Sequence, residues 1–267
     1  MFACPYFIEL MTPREDAPDR EADLKRFSDR YRRIFDAGCG ISIPDNPMGR
    51  PRISAVEAIR QSELPVDGDR VVMNLNTFHS HAELNELLDQ AADLGLRYLL
   101  VVRGDGGPQL SKLDPRSVGG QKSVVTSAEL IRYIHATRPE EFVTGAAFNQ
   151  YAPRAFEARK LHTKIEAGAA YVITQPVIGA DRGVLELETL GIPVVVEAWM
   201  SKNIDLLIQS VRAEADAAPD DYDPFENLAL LHNVFPQNCV YLSMLSFQLD
   251  WEAHLPRIQG RQPSVGD

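Results

Sequence analysis

Eight apolar runs of strand length, seven of them set apart by helical patterns, predict a single (β/α)8 (TIM) barrel of the α/β class. The clearest run is Tyr98-Leu99-Leu100-Val101-Val102, which has almost no polar alternation and so reads as a parallel strand covered on both faces. It breaks at Arg103-Gly104-Asp105-Gly106-Gly107, and the same pattern of an apolar run with a polar tip recurs along the chain. A doubly wound sheet is the alternative, but no G-x-G-x-x-G follows the first strand and no P-loop is present. With 267 residues and no visible domain boundary, residues 1–267 are read as one barrel domain.

The first strand covers residues 2–10 and ends at Glu9; Thr12-Pro13-Arg14 breaks it. Leu24, Phe27, Tyr31, Ile34 and Phe35 at helical spacing predict an amphipathic helix over 21–35. A short second strand at 38–43 runs into Pro44-Asp45-Asn46-Pro47-Met48-Gly49-Arg50-Pro51, too rich in turn residues for helix or sheet. Ser54 with Glu57 signals a capping box for a helix to Gln61. The third strand, 70–76, ends in Asn74-Leu75-Asn76, and a helix follows over 81–94. After the fourth strand, 99–103, the loop 104–123 is long and polar, as functional loops are. Helix is predicted at 127–137, 154–167, near 184–190, at 203–215 and at 224–234. Strands are predicted at 141–148, 170–174, 192–198 and 238–245, with a surface loop at 217–223 and a last helix or coil over 250–267.

The net charge of −11 argues against a nucleic-acid partner, which needs a basic face. No apolar run approaches a membrane span, and the first residues carry no basic region or signal-peptide core, so the expected setting is cytoplasmic. Cys4, Cys39 and Cys239 lack metal-ligand spacing and read as buried reduced thiols; no metal site is expected. Core is the expected place for Met48, Trp199 and Phe247. Homo-oligomerisation is left open.

In a barrel the C-terminal strand ends share one site. Here they carry Glu9, Ser42 and Asp45, Asn74 and Asn76, Asp105, Phe148 and Asn149, Gln175, and Glu197. A carboxyl at such a rim can have its pKa raised and act as a general acid. Asn and Gln offer paired donors and acceptors to a flat heterocycle. Without a Ser-His-Asp set, HExxH or CxxC, acid–base or hydride chemistry fits better than nucleophilic or metal catalysis. The six histidines read as solvent-facing or satisfied, with His79 the one near the rim. Arg103 suits either an anionic ligand or a rim salt bridge.

Four stretches make the chain resemble the methylenetetrahydrofolate reductase family. Phe7-Ile8-Glu9-Leu10 with Pro13 is similar to F-E-x-x-P-P. Ile43-Pro44-Asp45-Asn46-Pro47 with Arg52-Ile53-Ser54 is similar to T-D-N-P…R-M-S. Val102-Arg103-Gly104-Asp105 resembles L-R-G-D, and Lys164-Ile165-Glu166-Ala167-Gly168-Ala169 with Ile173-Thr174-Gln175 is close to K-x-D-A-G-A…I-T-Q. The resemblance implies a (β/α)8 barrel that reduces 5,10-methylenetetrahydrofolate to 5-methyltetrahydrofolate with NAD(P)H, usually through FAD. It implies that Glu9 protonates the ring nitrogen as the five-membered ring opens. Asp105 would lie beside flavin and pterin, and Gln175 would bond the pterin, with Asn74, Asp45 and Phe148 completing the folate site. Arg103, Gly104, Asn76 and Lys164 would contact flavin or its phosphates.

The chain also departs from that pattern. Its third strand ends in Asn74-Leu75-Asn76-Thr77 instead of H-L-T-C. Its fifth reads Ala146-Ala147-Phe148-Asn149-Gln150-Tyr151-Ala152-Pro153 instead of A-A-Y-P-E-x-H-P, and Val196-Glu197-Ala198 replaces P-G-I-x-P in the seventh. The tyrosine and histidines that usually help hold FAD are therefore missing. Flavin held differently and hydride taken directly from a nicotinamide are both open. So are a non-catalytic pterin- or corrinoid-associated barrel and another one-carbon lyase or methyltransferase in which Glu197 is the distinguishing acid.

Overall fold

Eight parallel strands close on themselves in chain order in the computed structural model, which describes residues 2, 4–211 and 221–255. The strands are β1 (Tyr6–Glu9), β2 (Gly40–Ile43), β3 (Val71–Leu75), β4 (Tyr98–Val101), β5 (Val143–Phe148), β6 (Tyr171–Pro176), β7 (Val194–Trp199) and β8 (Cys239–Ser243). Closure is made by β8 against β1, with Phe7 beside Tyr241 and Ile8 beside Leu242. The predicted barrel is therefore the observed one.

The helices are α1 (Arg20–Asp36), α2 (Ala55–Gln61), α3 (His81–Asp93), α4 (Ser127–Thr137), α5 (Arg154–Glu166), α6 (Arg182–Leu187), α7 (Ile204–Val211) and α8 (Pro224–Val234). Two of them, α7 and α8, fall between β7 and β8. After β8 the described chain holds a 3-10 turn, Trp251–His254. There Trp251 is fully buried, and Arg33 of α1 holds the segment through Glu252 and the carbonyl of Phe247. The predicted helix over 203–215, the loop at 217–223 and the C-terminal helix or coil all extend beyond the described residues.

Local chemistry explains most helix starts. Ser80 with Glu83 and Thr126 with Glu129 form full capping boxes. The Ser54 hydroxyl accepts from the Glu57 amide as expected, but the Glu57 carboxylate turns to Arg20 on α1, so only half of that box forms. The first strand starts at Tyr6 because Pro5 has no amide to give; its carbonyl accepts from Val240 instead. Residues 44–51, expected to be irregular, contain one 3-10 turn at Pro47–Gly49 with Asn46, Met48 and Gly49 all at positive φ.

The apolar residues form two layers. The larger lies between sheet and helices. The inner one fills the barrel with Phe7, Val72, Tyr98, Leu100, Tyr171, Ile173, Val195 and Tyr241. Phe2 plugs its lower end, with ring contacts to Phe7, Tyr98 and Tyr171. Cys4 and Cys39 are buried free thiols, as expected, whereas Cys239 is only half-buried. No helix among the described residues is long and apolar enough to cross a membrane.

Candidate functional site

Side chains alternate faces along a strand, so two residues beyond an inner apolar residue the chain again faces inward, nearer the C-terminal mouth. From Phe7, Val72, Val195 and Tyr241 that step reaches Glu9, Asn74, Glu197 and Ser243. The register agrees, with Glu9 beside Ser42 and Glu197 beside Tyr241. A polar layer therefore caps the apolar one.

Glu9 is the centre of this layer. The Tyr241 hydroxyl donates to its Oε2 at 2.8 Å. Burial raises the Glu9 pKa; the bonds from Tyr241 and from the Met244 backbone, and the charge of Arg52, pull it back only in part. Tyr241 also meets Ser42, whose hydroxyl donates to Asn74 Oδ1 at 3.3 Å. Glu197 is 9% exposed, and the Ser243 hydroxyl is its hydrogen-bond neighbour. Burial first, and then the Glu9 charge, push its pKa well above the carboxylate range. Gln175 lies within a register shift between Ile173 and Pro176, and its carbonyl accepts from Gln150 at 2.9 Å.

On the opposite arc the polar groups are already spent. Asp45 Oδ2 accepts from the Asn76 amide at 2.8 Å and lies 2.7 Å from His79 Nε2. Burial lowers the His79 pKa, but the hydrogen bond and charge of Asp45 outweigh it, and the net shift is upward. The Asn76 side chain donates to the Asp45 carbonyl and accepts from the Phe78 amide. It is 1% exposed, so it ties the β2 and β3 loops together. Gly104, at φ +80°, packs on it; an added Cβ would stand 2.8 Å from that of Asn76.

Asp105 is exposed and accepts from the Met48 amide at 2.9 Å, clasping the β4 loop to the β2 loop. Arg103 is exposed and pairs with no carboxylate among the described residues, so the rim salt bridge considered from sequence is not formed.

Two site candidates stand elsewhere. Phe148 packs in the layer between sheet and helices, because its place in β5 points it away from the lumen. Lys164 is behind the sheet as well. Its Nζ donates to the Ala147 carbonyl at 2.6 Å and stands 3.7 Å from buried Glu157. With Asn76 and Lys164 turned inward to the protein, the four groups assigned to flavin do not assemble into one surface.

Met48, expected in the core, is 59% exposed: the turn that clasps Asp105 carries its side chain outward. Trp199 is core as expected, and Phe247 is half-buried against the layer between sheet and helices, with its ring edge-on to Trp251. Tyr241 was missed. Its signal was the alternation of Tyr241 and Ser243 with Val240 and Leu242, which marks a strand with one polar-tipped face.

A barrel with a buried acid at its mouth defines a class of α/β enzyme-like scaffolds rather than one reaction. The family is settled by sequence: a methylenetetrahydrofolate reductase model matches residues 8–184, and the chain belongs to that family. No curated protein sequence matches the chain. Among solved structures it is similar to a Clostridium thermocellum protein of undetermined function that binds two copies of 5-methyl-5,6,7,8-tetrahydrofolic acid. The identity is 11% and the TM-score 0.53, over 94% of this chain and 92% of that one. It is also similar to 2,3-dimethylmalate lyase, of the PEP mutase/isocitrate lyase superfamily, at 12% identity and TM-score 0.51, over 89% and 74% of the two chains. At such identities these likenesses establish the barrel alone.

Proposed function

We propose that the protein acts on a reduced folate at the barrel mouth, and that it reduces 5,10-methylenetetrahydrofolate to 5-methyltetrahydrofolate with Glu9 as the acid. The observation that supports this most directly is the Glu9–Tyr241 pair. It puts a carboxyl with a raised pKa on the inner wall, within the family-matched segment. The folate bound by the Clostridium thermocellum protein points to the same ligand class.

In this reading Glu9 gives its proton to the bridging nitrogen N10. The carbon–nitrogen bond there breaks, and the electron pair on N5 forms an iminium with the one-carbon unit. A reduced nicotinamide supplies the hydride that turns that carbon into a methyl group. Tyr241 then stabilises the Glu9 carboxylate through its hydrogen bond, and solvent at the mouth returns the proton. Asn74 and Gln175 offer amides to the pterin edge. No step is routed through flavin, since Asn76 and Lys164 are engaged within the protein.

The test is oxidation of NADH or NADPH with and without methylenetetrahydrofolate, alongside the absorbance spectrum of the purified protein. Folate-dependent oxidation without flavin absorbance is the expected result. The spent polar groups of the β2–β4 arc favour a second reading, a barrel that binds methylfolate without turnover. Tight folate binding with no oxidation by any nicotinamide would select it.

A further inference from the structure

Glu197 is the largest unexplained feature of the mouth. It is a carboxyl in a strand whose six residues are all buried. No lysine, arginine or histidine forms an ion pair with it among the described residues. The groups that face it are Tyr241 beside it on β8, the Ser243 hydroxyl, Tyr151, and Glu9 beyond Tyr241. Its own amide donates to Thr174 Oγ1 at 3.0 Å, which pins the backbone. Among the described residues, the one cation that acts on the pair, Arg52, acts on Glu9. An ionised Glu197 would be a buried charge with no counter-charge and with a carboxylate as near neighbour, which is among the costliest arrangements in a protein.

We propose that Glu197 works as a neutral carboxylic acid: it confines the Glu9–Glu197 pair to at most one negative charge and donates a hydrogen bond to an acceptor on the substrate's ring. Glu9 and Glu197 then divide the labour. The carboxyl nearer Arg52 releases its proton, and the one without a cation keeps it. An O–H donor fixed on a rigid strand suits a ring carbonyl or unprotonated ring nitrogen, such as the acceptors of a pterin. The ring part of the inference rests on the folate reading above; the proton part does not.

Two measurements on the full chain separate them. The first is 13C NMR of side-chain carboxyls in ligand-free protein, titrated with pH and assigned through Glu9→Gln and Glu197→Gln. We expect two coupled steps, the upper one from Glu197. That step disappears in Glu197→Gln and moves to lower pH in Glu9→Gln, because the neighbouring charge is gone. A Glu197 carboxyl ionised at neutral pH overturns the proposal. The second is the affinity for 5-methyltetrahydrofolate by fluorescence titration. Glu197→Met should lose roughly tenfold, the worth of one buried hydrogen bond. Glu197→Gln, which keeps a donor of the same shape, should recover most of it and guards against misfolding as the cause. Equal affinities for wild type and Glu197→Met overturn the ring contact. A wild type that binds no folate overturns the folate reading and the ring contact together, while the carboxyl titration still reads the proton.

Discussion

The two arcs of the barrel mouth are built on opposite plans. On β7, β8, β1 and β2 the polar groups sit on strands and face a shared lumen: Glu197, Ser243, Tyr241, Glu9 and Ser42. On the β2, β3 and β4 loops they sit in turns and bond from loop to loop: Asp45 meets Asn76 and His79, and Asp105 meets the Met48 amide. The first arc leaves acid groups available at an energetic cost in desolvation. The second uses equally polar residues to lock loops. Residue type at a strand end therefore does not decide function. What decides it is whether the hydrogen-bonding capacity is already used within the chain.

The sharpest way to break this contrast is Glu9→Gln. A glutamine keeps the shape and a bond to Tyr241 but has no proton to give, so turnover should fall by about 10²-fold or more with the circular dichroism spectrum unchanged. Retained turnover would move the acid elsewhere. On the locking side, Lys164→Met removes the donor to the Ala147 carbonyl and one of the two lysines beside buried Glu157, which keeps Lys160 at 2.6 Å; the loss should be on the order of 1–3 kcal/mol in urea unfolding. A variant of normal stability that loses only turnover would instead return Lys164 to the ligand.

Gly49→Ala tests the loop clasp. Gly49 has φ +67°, and a Cβ there would run into the Gly106 carbonyl. Left-handed strain and overlap together should cost about 2–3 kcal/mol, read from the urea midpoint. The smallest effect expected is on the pH dependence of stability. Glu197 holds its proton more tightly folded than unfolded. Stability is thus greatest below the unfolded carboxylate pKa and is lost as pH rises toward the folded one. Glu197→Gln should remove that loss, so the variant gains on the wild type as pH rises and matches it in acid. A difference that does not vary with pH would mean that Glu197 titrates alike in the folded and unfolded states.

Much of this was legible in residue order. The run from Tyr98 to Val102, and its counterparts, read as strands buried on both faces, and Ser54 marked its helix through a bond from the Glu57 amide that needs no tertiary partner. Glu9 was legible because a lone acid closes an apolar strand. Phe148 and Lys164 were not, since a strand residue one step along faces the opposite side and a helical lysine can reach inward as well as outward. Asp105 and Asp45 looked like Glu9 in sequence; their partners, Met48 and His79, come from other loops.

By itself, then, the sequence determined the barrel, its strand order and the acid at the end of β1. These follow from period, propensity and capping, which act over a few residues. Only the tertiary structure decided which polar ends remain open, because Tyr241 meets Glu9, and Asp105 meets Met48, across separations of 232 and 57 residues. Free hydrogen-bonding capacity and desolvation are set by what the fold packs beside a group, not by the neighbours it has along the chain.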